Sequence, residues 1–329
     1  MKSTDYSGLA VQFEHILVAK ERITGIIRHT PADICRFLSE ACNANVYLKL
    51  ENRQRTGSFK LRGAANFILA CERSELNNGL VAASMGNHGQ AVALIGQLIK
   101  IPVTIFAPLG ASPIKISSIK RLGAAVVLTG QQYEDAVKAS CRFAESEKAV
   151  VVPAFEDPLV VAGQGTCGLE LAAQVPDLHY LVVPVGGGGL ISGIATVFAH
   201  LKPSIKLIGV QSTMADTMHQ CLKRDEVFLP KALPTIADGL AGGICDMTFQ
   251  IVKALVDEVI AVPEEYLAPA IGRTILEGRE VVEGSAACGI AALLNGIIQP
   301  EKGSNVVVLV TGGNIDRDLL RKILKNHLK

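Results

Sequence analysis

Residues 51–63 read Glu51-Asn52-Arg53-Gln54-Arg55-Thr56-Gly57-Ser58-Phe59-Lys60-Leu61-Arg62-Gly63. A β-branched run, Val46–Leu50, ends just before this stretch, and an amphipathic pattern starts just after it. The segment therefore reads as strand, Thr-Gly-Ser turn, and helix with a lysine in its first turn. Ser58 is a suitable N-cap there. The first turn of a helix carries unpaired N–H groups and the positive end of the dipole, a poor place for a cation. That field favours the free amine of Lys60, which is the form that condenses with an aldehyde. The alternative is a solvated surface lysine, and the motifs elsewhere in the chain decide between the two.

Outward from this point, short β-branched runs alternate with helical periodicity. Strands are predicted at Val46–Leu50, Gly79–Ala83, Val103–Phe106, Ala125–Leu128, Val150–Val152, Tyr180–Pro184, Lys206–Gln211, Glu258–Val262 and Val306–Val310. Helices are predicted at Ala64–Glu72, Ala91–Lys100, Glu134–Glu147, Asp246–Val256 and Leu267–Leu276. Such alternation predicts an α/β protein with open, twisted, mostly parallel sheets covered by helices. The stretch from Gly79 to Pro153 reads as four consecutive βα steps, enough for a sheet of its own. The expected organisation is a small α/β domain, residues 79–153, inserted into a large one formed by 1–78 and 154–329.

Composition narrows the function classes. The 329 residues are 49% hydrophobic and 19% charged, with a formal net charge of +1, which describes a packed soluble globule with no electrostatic pull toward nucleic acid or acidic membranes. Eight scattered cysteines, none in C-x-x-C spacing, fit a reducing cytoplasmic setting. Asp5 and Glu14 interrupt any apolar leader. The uncharged run Leu181–Ala199 contains Pro184 and four consecutive glycines, which argues for a buried strand-turn-helix over a membrane span.

Three further motifs carry chemistry. Pro184-Val185-Gly186-Gly187-Gly188-Gly189-Leu190-Ile191-Ser192-Gly193 follows a strand and opens a helix. Consecutive glycines let backbone N–H groups converge on an anion, and the helix N-terminus adds its dipole. No register gives G-x-G-x-x-G, and the next strand ends at Val210-Gln211 without an acidic residue, so a dinucleotide reading fails. The cradle suits a single phosphate monoester. Ser84-Met85-Gly86-Asn87-His88-Gly89-Gln90 gathers a hydroxyl, an amide, an imidazole and bare N–H groups at a strand end, a set suited to a carboxylate and a phenolic oxygen. Val310-Thr311-Gly312-Gly313-Asn314 ends the last strand with a hydroxyl that can face a ring nitrogen or simply serve a turn.

Together these motifs, with Ala162-Gly163-Gln164-Gly165-Thr166, Ala237-Asp238-Gly239 and Glu283, resemble the serine/threonine dehydratase (threonine ammonia-lyase) group of the tryptophan-synthase-β-like, fold type II pyridoxal phosphate enzymes. The resemblance covers nearly the whole chain. It implies that Lys60 holds pyridoxal 5′-phosphate as a Schiff base and later acts as the base that removes the α-proton, with Phe59 beside the ring. It implies that Gly186, Gly187, Gly188 and Gly189 bind the phosphate, Asn87 the 3′ oxygen and Thr311 the pyridine nitrogen. Ser84, Asn87 and His88 would receive the substrate carboxylate, and no metal is implied. Most relatives carry serine or cysteine at position 311. A hydroxyl at the ring nitrogen makes the cofactor a moderate electron sink, which suits β-elimination better than transamination.

Serine racemases share this group, and four positions depart from them in three features. Met85 stands where they place a second serine, Gln211 and Thr217 where the eukaryotic type places two metal-binding carboxylates, and Tyr133 near where it has an arginine. The expected activity is deamination of L-threonine or L-serine by a short, catabolic-type lyase working as a homodimer or homotetramer. Only residues 315–329 follow Asn314, so no C-terminal regulatory domain is expected. A dehydratase for another 3-hydroxy amino acid, such as 3-hydroxyaspartate or a hydroxyectoine-derived compound, is the alternative within the family. A non-catalytic pyridoxal phosphate-binding protein is the alternative outside it.

Overall fold

The computed structural model describes residues 8–230 and 233–327; Asp5 lies outside them. Among the described residues, ten strands form two separate sheets. In chain order they are β1 (Ala32–Ile34), β2 (Asn45–Leu50), β3 (Leu80–Ala83), β4 (Val103–Ala107), β5 (Ala125–Leu128), β6 (Val150–Val151), β7 (Tyr180–Pro184), β8 (Lys206–Ser212), β9 (Glu258–Val262) and β10 (Asn305–Val310). The larger sheet runs β1-β2-β10-β7-β8-β9, parallel except for the antiparallel β1–β2 edge. The smaller runs β5-β4-β3-β6 and is wholly parallel.

Side-chain alternation along the inner strands explains why the larger sheet is covered on both faces. Val307 and Leu309 of β10, with Leu181 and Val183 of β7, enter one apolar cluster with the helices Phe13–Ile23, Pro158–Gln174, Gly189–Leu201 and Asp246–Leu255. Val306, Val308 and Val310, with Val182, face the opposite cluster with the helices Arg36–Cys42, Leu267–Leu276 and Gly284–Leu294. The run Leu181–Ala199 is thus β7, a glycine turn and a buried helix. Among the described residues no helix is long and apolar enough to cross a membrane.

Two expectations need correction. Edge strand β1 carries no readable signal: it has three residues, and Asp33 and Ile34 are both exposed. The stretch 79–153 also holds only three helices, Asn87–Ile99, Pro113–Arg121 and Tyr133–Glu147. The next helix, Pro158–Gln174, packs on the larger sheet's side against Gly189–Leu201. The first and last strands of the smaller sheet start side by side, the Val150 N–H donating to the Gly79 carbonyl at 3.0 Å.

Candidate active site

All four motifs end strands at their carboxyl edges, where open α/β sheets form ligand crevices. A single cavity of about 520 Å³ between the two sheets is lined by Phe59, Lys60, Ser84, Asn87, His88, Gly186, Gly187, Gly188, Gly189 and Thr311, every site residue expected from the sequence. Phe155, Glu156, Gln164, Asp238, Glu283 and Ser285 join them from segments that sequence reading did not assign to the site.

Lys60 opens the helix Lys60–Ala70. Ser58 does not cap it. Phe59 takes the N-cap position without a side-chain bond, while Ser58 bridges to Gly312 and its buried hydroxyl has no protein partner. The turn is tied instead by backbone, through the Phe59 N–H to the Thr311 carbonyl (3.0 Å). Lys60 Nζ donates to the Ala154 carbonyl at 3.2 Å and lies 5.3 Å from the centre of the Phe59 ring. Enclosure by protein lowers its proton affinity to about 8, with Glu156 and then Glu283 holding it up. Desolvation, more than the helix dipole, therefore favours the free amine.

Beneath Lys60 sits a buried charge network. Arg62 is forked between Glu51 (2.7 and 2.8 Å) and Glu170 (2.7 and 2.9 Å), and Lys49 donates to Glu170 at 2.6 Å. Thr30 donates its hydroxyl to Glu51. Arg62, Lys49 and Glu51 have fully buried side chains. Burial pushes the Glu51 carboxyl up, but the Arg62 guanidinium outweighs it and holds the group below the usual range. This network anchors the helix that presents Lys60.

The glycine loop is shaped by what surrounds it. Gly188 has φ +88°, and a Cβ there would meet Met218 and Thr248 at 2.9 Å, so a side chain is excluded on two counts. A Cβ on Gly187 would run into the Phe155 ring. The loop opens the helix Gly189–Leu201, leaving its first N–H groups for an anion. Gln211 braces the strand before it, donating to the Val185 carbonyl and accepting from the His219 N–H, both at 2.8 Å. Thr217 donates to the Gly242 carbonyl at 3.0 Å. Both side chains at the racemase-like metal positions are thus engaged with backbone.

The Ser84–Gln90 loop is ordered by Ser84, whose Oγ accepts from the N–H groups of Gly86 (3.1 Å) and Gly89 (2.8 Å). Its own proton stays free to donate into the cavity. Asn87 and His88 open the helix Asn87–Ile99, so their N–H groups have no intrahelical partner. The His88 imidazole behaves differently from expectation. It is buried, its Nε2 contacts the Val152 carbonyl at 2.9 Å, and burial lowers its pKa to about 4. The ring is neutral, and its one proton serves Val152. His88 can offer a carboxylate its backbone N–H but no imidazolium.

Pyridoxal phosphate fits these residues: an enclosed amine for its aldehyde, a side-chain-free glycine cradle at a helix start for its phosphate, and the hydroxyl of Thr311. A second hydroxyl, on buried Ser285, lacks a protein partner.

The comparisons agree with this geometry. The chain matches the family model described as pyridoxal-phosphate dependent enzyme over residues 23–312. It is 42% identical to an L-threonine ammonia-lyase of Thermotoga maritima, over 97% of this chain and 79% of that protein. It is 36% identical to a catabolic L-threonine dehydratase of Escherichia coli K12, over 96% of each. Among solved structures, maize serine racemase superposes with a TM-score of 0.91 at 32% identity, covering 97% of this chain and 98% of that one. Processed threonine deaminase isoform 2 from Solanum lycopersicum superposes at 0.90 and 34% identity, covering 95% and 87%. With a lysine on the floor of a glycine-cradled cavity and a family match that runs nearly end to end, the chain belongs to the fold type II pyridoxal-phosphate-dependent enzymes.

Proposed function

We propose that this enzyme is a lyase that deaminates L-threonine, and L-serine with it, to the 2-oxo acid and ammonia. The observation that carries the reading is the enclosed Lys60 amine facing, across one cavity, both a phosphate cradle and a cluster of carboxylate donors. The extent of the likeness to threonine ammonia-lyases supports it.

Bound pyridoxal phosphate supplies an electron sink for charge developing at the substrate α-carbon. The protein does the rest. Gly186–Gly189 would hold the phosphate, Thr311 the ring nitrogen and Asn87 the 3′ oxygen, with Phe59 beside the ring. The Ser84 hydroxyl and the N–H groups of Asn87 and His88 orient the substrate carboxylate. Lys60 Nζ, in its neutral form, takes the α-proton as general base. The β-hydroxyl then leaves as water, and hydrolysis of the resulting enamine releases ammonia and the oxo acid. Glu156 braces the wall by accepting from the N–H groups of Ala154 and Phe155, both at 3.1 Å.

Serine racemases share the fold, but Met85 lines the cavity here and a thioether has no proton to give to the opposite face of the α-carbon. Other 3-hydroxy amino acids are the nearest competing substrates. The family resemblance further supports a cytoplasmic homodimer or homotetramer, and residues 79–153 as the small inserted domain. A panel of L- and D-3-hydroxy amino acids, scored by 2-oxo acid release, tests the assignment: L-threonine or L-serine should lead. Light scattering of the purified protein tests the assembly.

A further inference from the structure

The Asn87 amide is gripped from two sides. Its Nδ2 donates to Glu283 Oε1 at 2.7 Å, and its Oδ1 accepts from Asn314 Nδ2 at 2.7 Å. Asn314 Nδ2 gives its other hydrogen to the Thr56 carbonyl at 2.8 Å. An amide has a donor end and an acceptor end of nearly equal shape, so its orientation must come from its neighbours. The two ends of the chain differ from the amides between them: the Thr56 carbonyl and the ionised Glu283 carboxylate can only accept.

Both ends impose the same polarity. The Thr56 carbonyl draws the donor end of Asn314, whose second N–H meets the oxygen of Asn87, and Glu283 draws the donor end of Asn87 toward itself on the cavity side. Asn87 Nδ2 keeps one hydrogen that the chain does not use, and Asn87 lines the cavity. The Glu283 side chain is not spent on its own helix, since it occupies the N-cap of Gly284–Leu294 without capping it. Its place is tightly fitted: a Cβ on Gly312 would run into the carboxylate.

We propose that Glu283 is a positioning residue for the cofactor, orienting the Asn87 amide so that its remaining N–H, and not its carbonyl, faces the 3′ oxygen of pyridoxal phosphate. This rests on the reading of Asn87 as the 3′ oxygen ligand and adds the group that makes that ligand a donor. The charged groups around Glu283 are Asp238 and Lys115, themselves ion-paired with each other, and the Lys60 amine when protonated. Enclosure first, then Asp238, raise the carboxyl to about 7, while Lys115, the Asn87 amide and the Asn314 N–H pull it down. Above neutrality the carboxylate holds the Asn87 end of the chain; once protonated it can donate, and only the Thr56 end still sets the polarity.

The test compares wild type, Glu283→Gln, Asn87→Ala and the double variant, read by the absorption and circular dichroism of the bound cofactor and by its dissociation constant in equilibrium dialysis. Loss of one charge-assisted bond predicts that each single variant binds pyridoxal phosphate about tenfold more weakly with a displaced band. The double variant should be no weaker than Asn87→Ala alone. Asn314→Asp, which offers Asn87 a competing acceptor, should displace the band in the same direction with Glu283 intact, and so guards against a Glu283 variant that fails to fold. A full additional loss in the double variant would show that Glu283 acts independently of Asn87 and overturn the proposal. So would a wild-type band and affinity in Glu283→Gln beside an impaired Asn87→Ala. An Asn87→Ala protein with unchanged affinity and spectrum would instead remove the cofactor reading of Asn87, and the proposal with it.

Discussion

The amine of Lys60 donates to the carbonyl oxygen of Ala154 across 3.2 Å, and the N–H of that same Ala154 is held by the Glu156 carboxylate. One short turn therefore fixes the position of the lysine and places a negative charge near it. The lysine's ordinary value of 10.5 falls to about 8 through enclosure. The sign is that of a depressed cation: the neutral amine dominates above about pH 8 and is lost below it. The rate at which apoenzyme recaptures pyridoxal phosphate should rise with pH through about 8 and then level. Glu156→Gln should move that midpoint lower, since it removes the larger of the two charges that favour the cation. Stopped-flow absorbance measures both, and a wild-type midpoint near the ordinary lysine value would refute the argument.

Lys60→Ala should lose the visible band of the bound cofactor and lower turnover by at least about a thousandfold, because Schiff-base anchor and general base vanish together. Oxo-acid production at the wild-type rate by this variant would sink the assignment of Lys60.

Gly188→Asp should release the cofactor. The position combines φ +88° with close neighbours Met218 and Thr248, and the new carboxylate would repel a phosphate dianion. The backbone strain alone is about 1–3 kcal/mol. Equilibrium dialysis reads the effect, and unchanged affinity would place the phosphate elsewhere.

Arg62→Met leaves Glu51 and Glu170 facing each other with only Lys49 between them. Removing one partner from a buried ionic network costs about 3–5 kcal/mol, so urea denaturation should show a large drop in midpoint. The sign with pH follows from Glu51, whose folded value lies below 4.5: its contribution is present above about that pH in wild type and fades as acid protonates it. The variant should lose most of this acid sensitivity.

Met85 bears on reaction choice. Wild-type enzyme should form pyruvate from L-serine with almost no D-serine, and Met85→Ser should gain little racemisation. Chiral chromatography beside a pyruvate assay decides the matter. D-serine output comparable to pyruvate would favour the racemase reading.

Much of this was legible before any coordinates, and the gaps have physical causes. The inner strands of both sheets announce themselves because parallel strands buried on two faces are nearly continuous apolar, β-branched-rich runs, as in Val306–Val310. The glycine loop and the lysine turn are contiguous, so their chemistry survives in one dimension. The helices Pro158–Gln174 and Gly284–Leu294 escaped notice because they are buried almost all round and rich in glycine and alanine, which removes the amphipathic stripe that periodicity detects. Phe155 and Ser285 reach the cavity from separate segments, and nothing local marks them, while Gln164 sits in a noted motif whose part in the site only the fold reveals. Ser58 was misread because a serine before a helix looks the same whether it caps the helix or, as here, pairs with Gly312.

The adjacency of Gly79 and Val150 has a modular consequence. The strands that the chain lays down between them all belong to the smaller sheet, so the larger sheet's order closes without any strand from that stretch. An insert whose entry and exit are hydrogen-bonded neighbours imposes no span on its host. Were residues 79–153 the inserted domain proposed above, a graft at its two ends would exchange the Ser84–Gln90 loop while Lys60 and the glycine loop stayed behind.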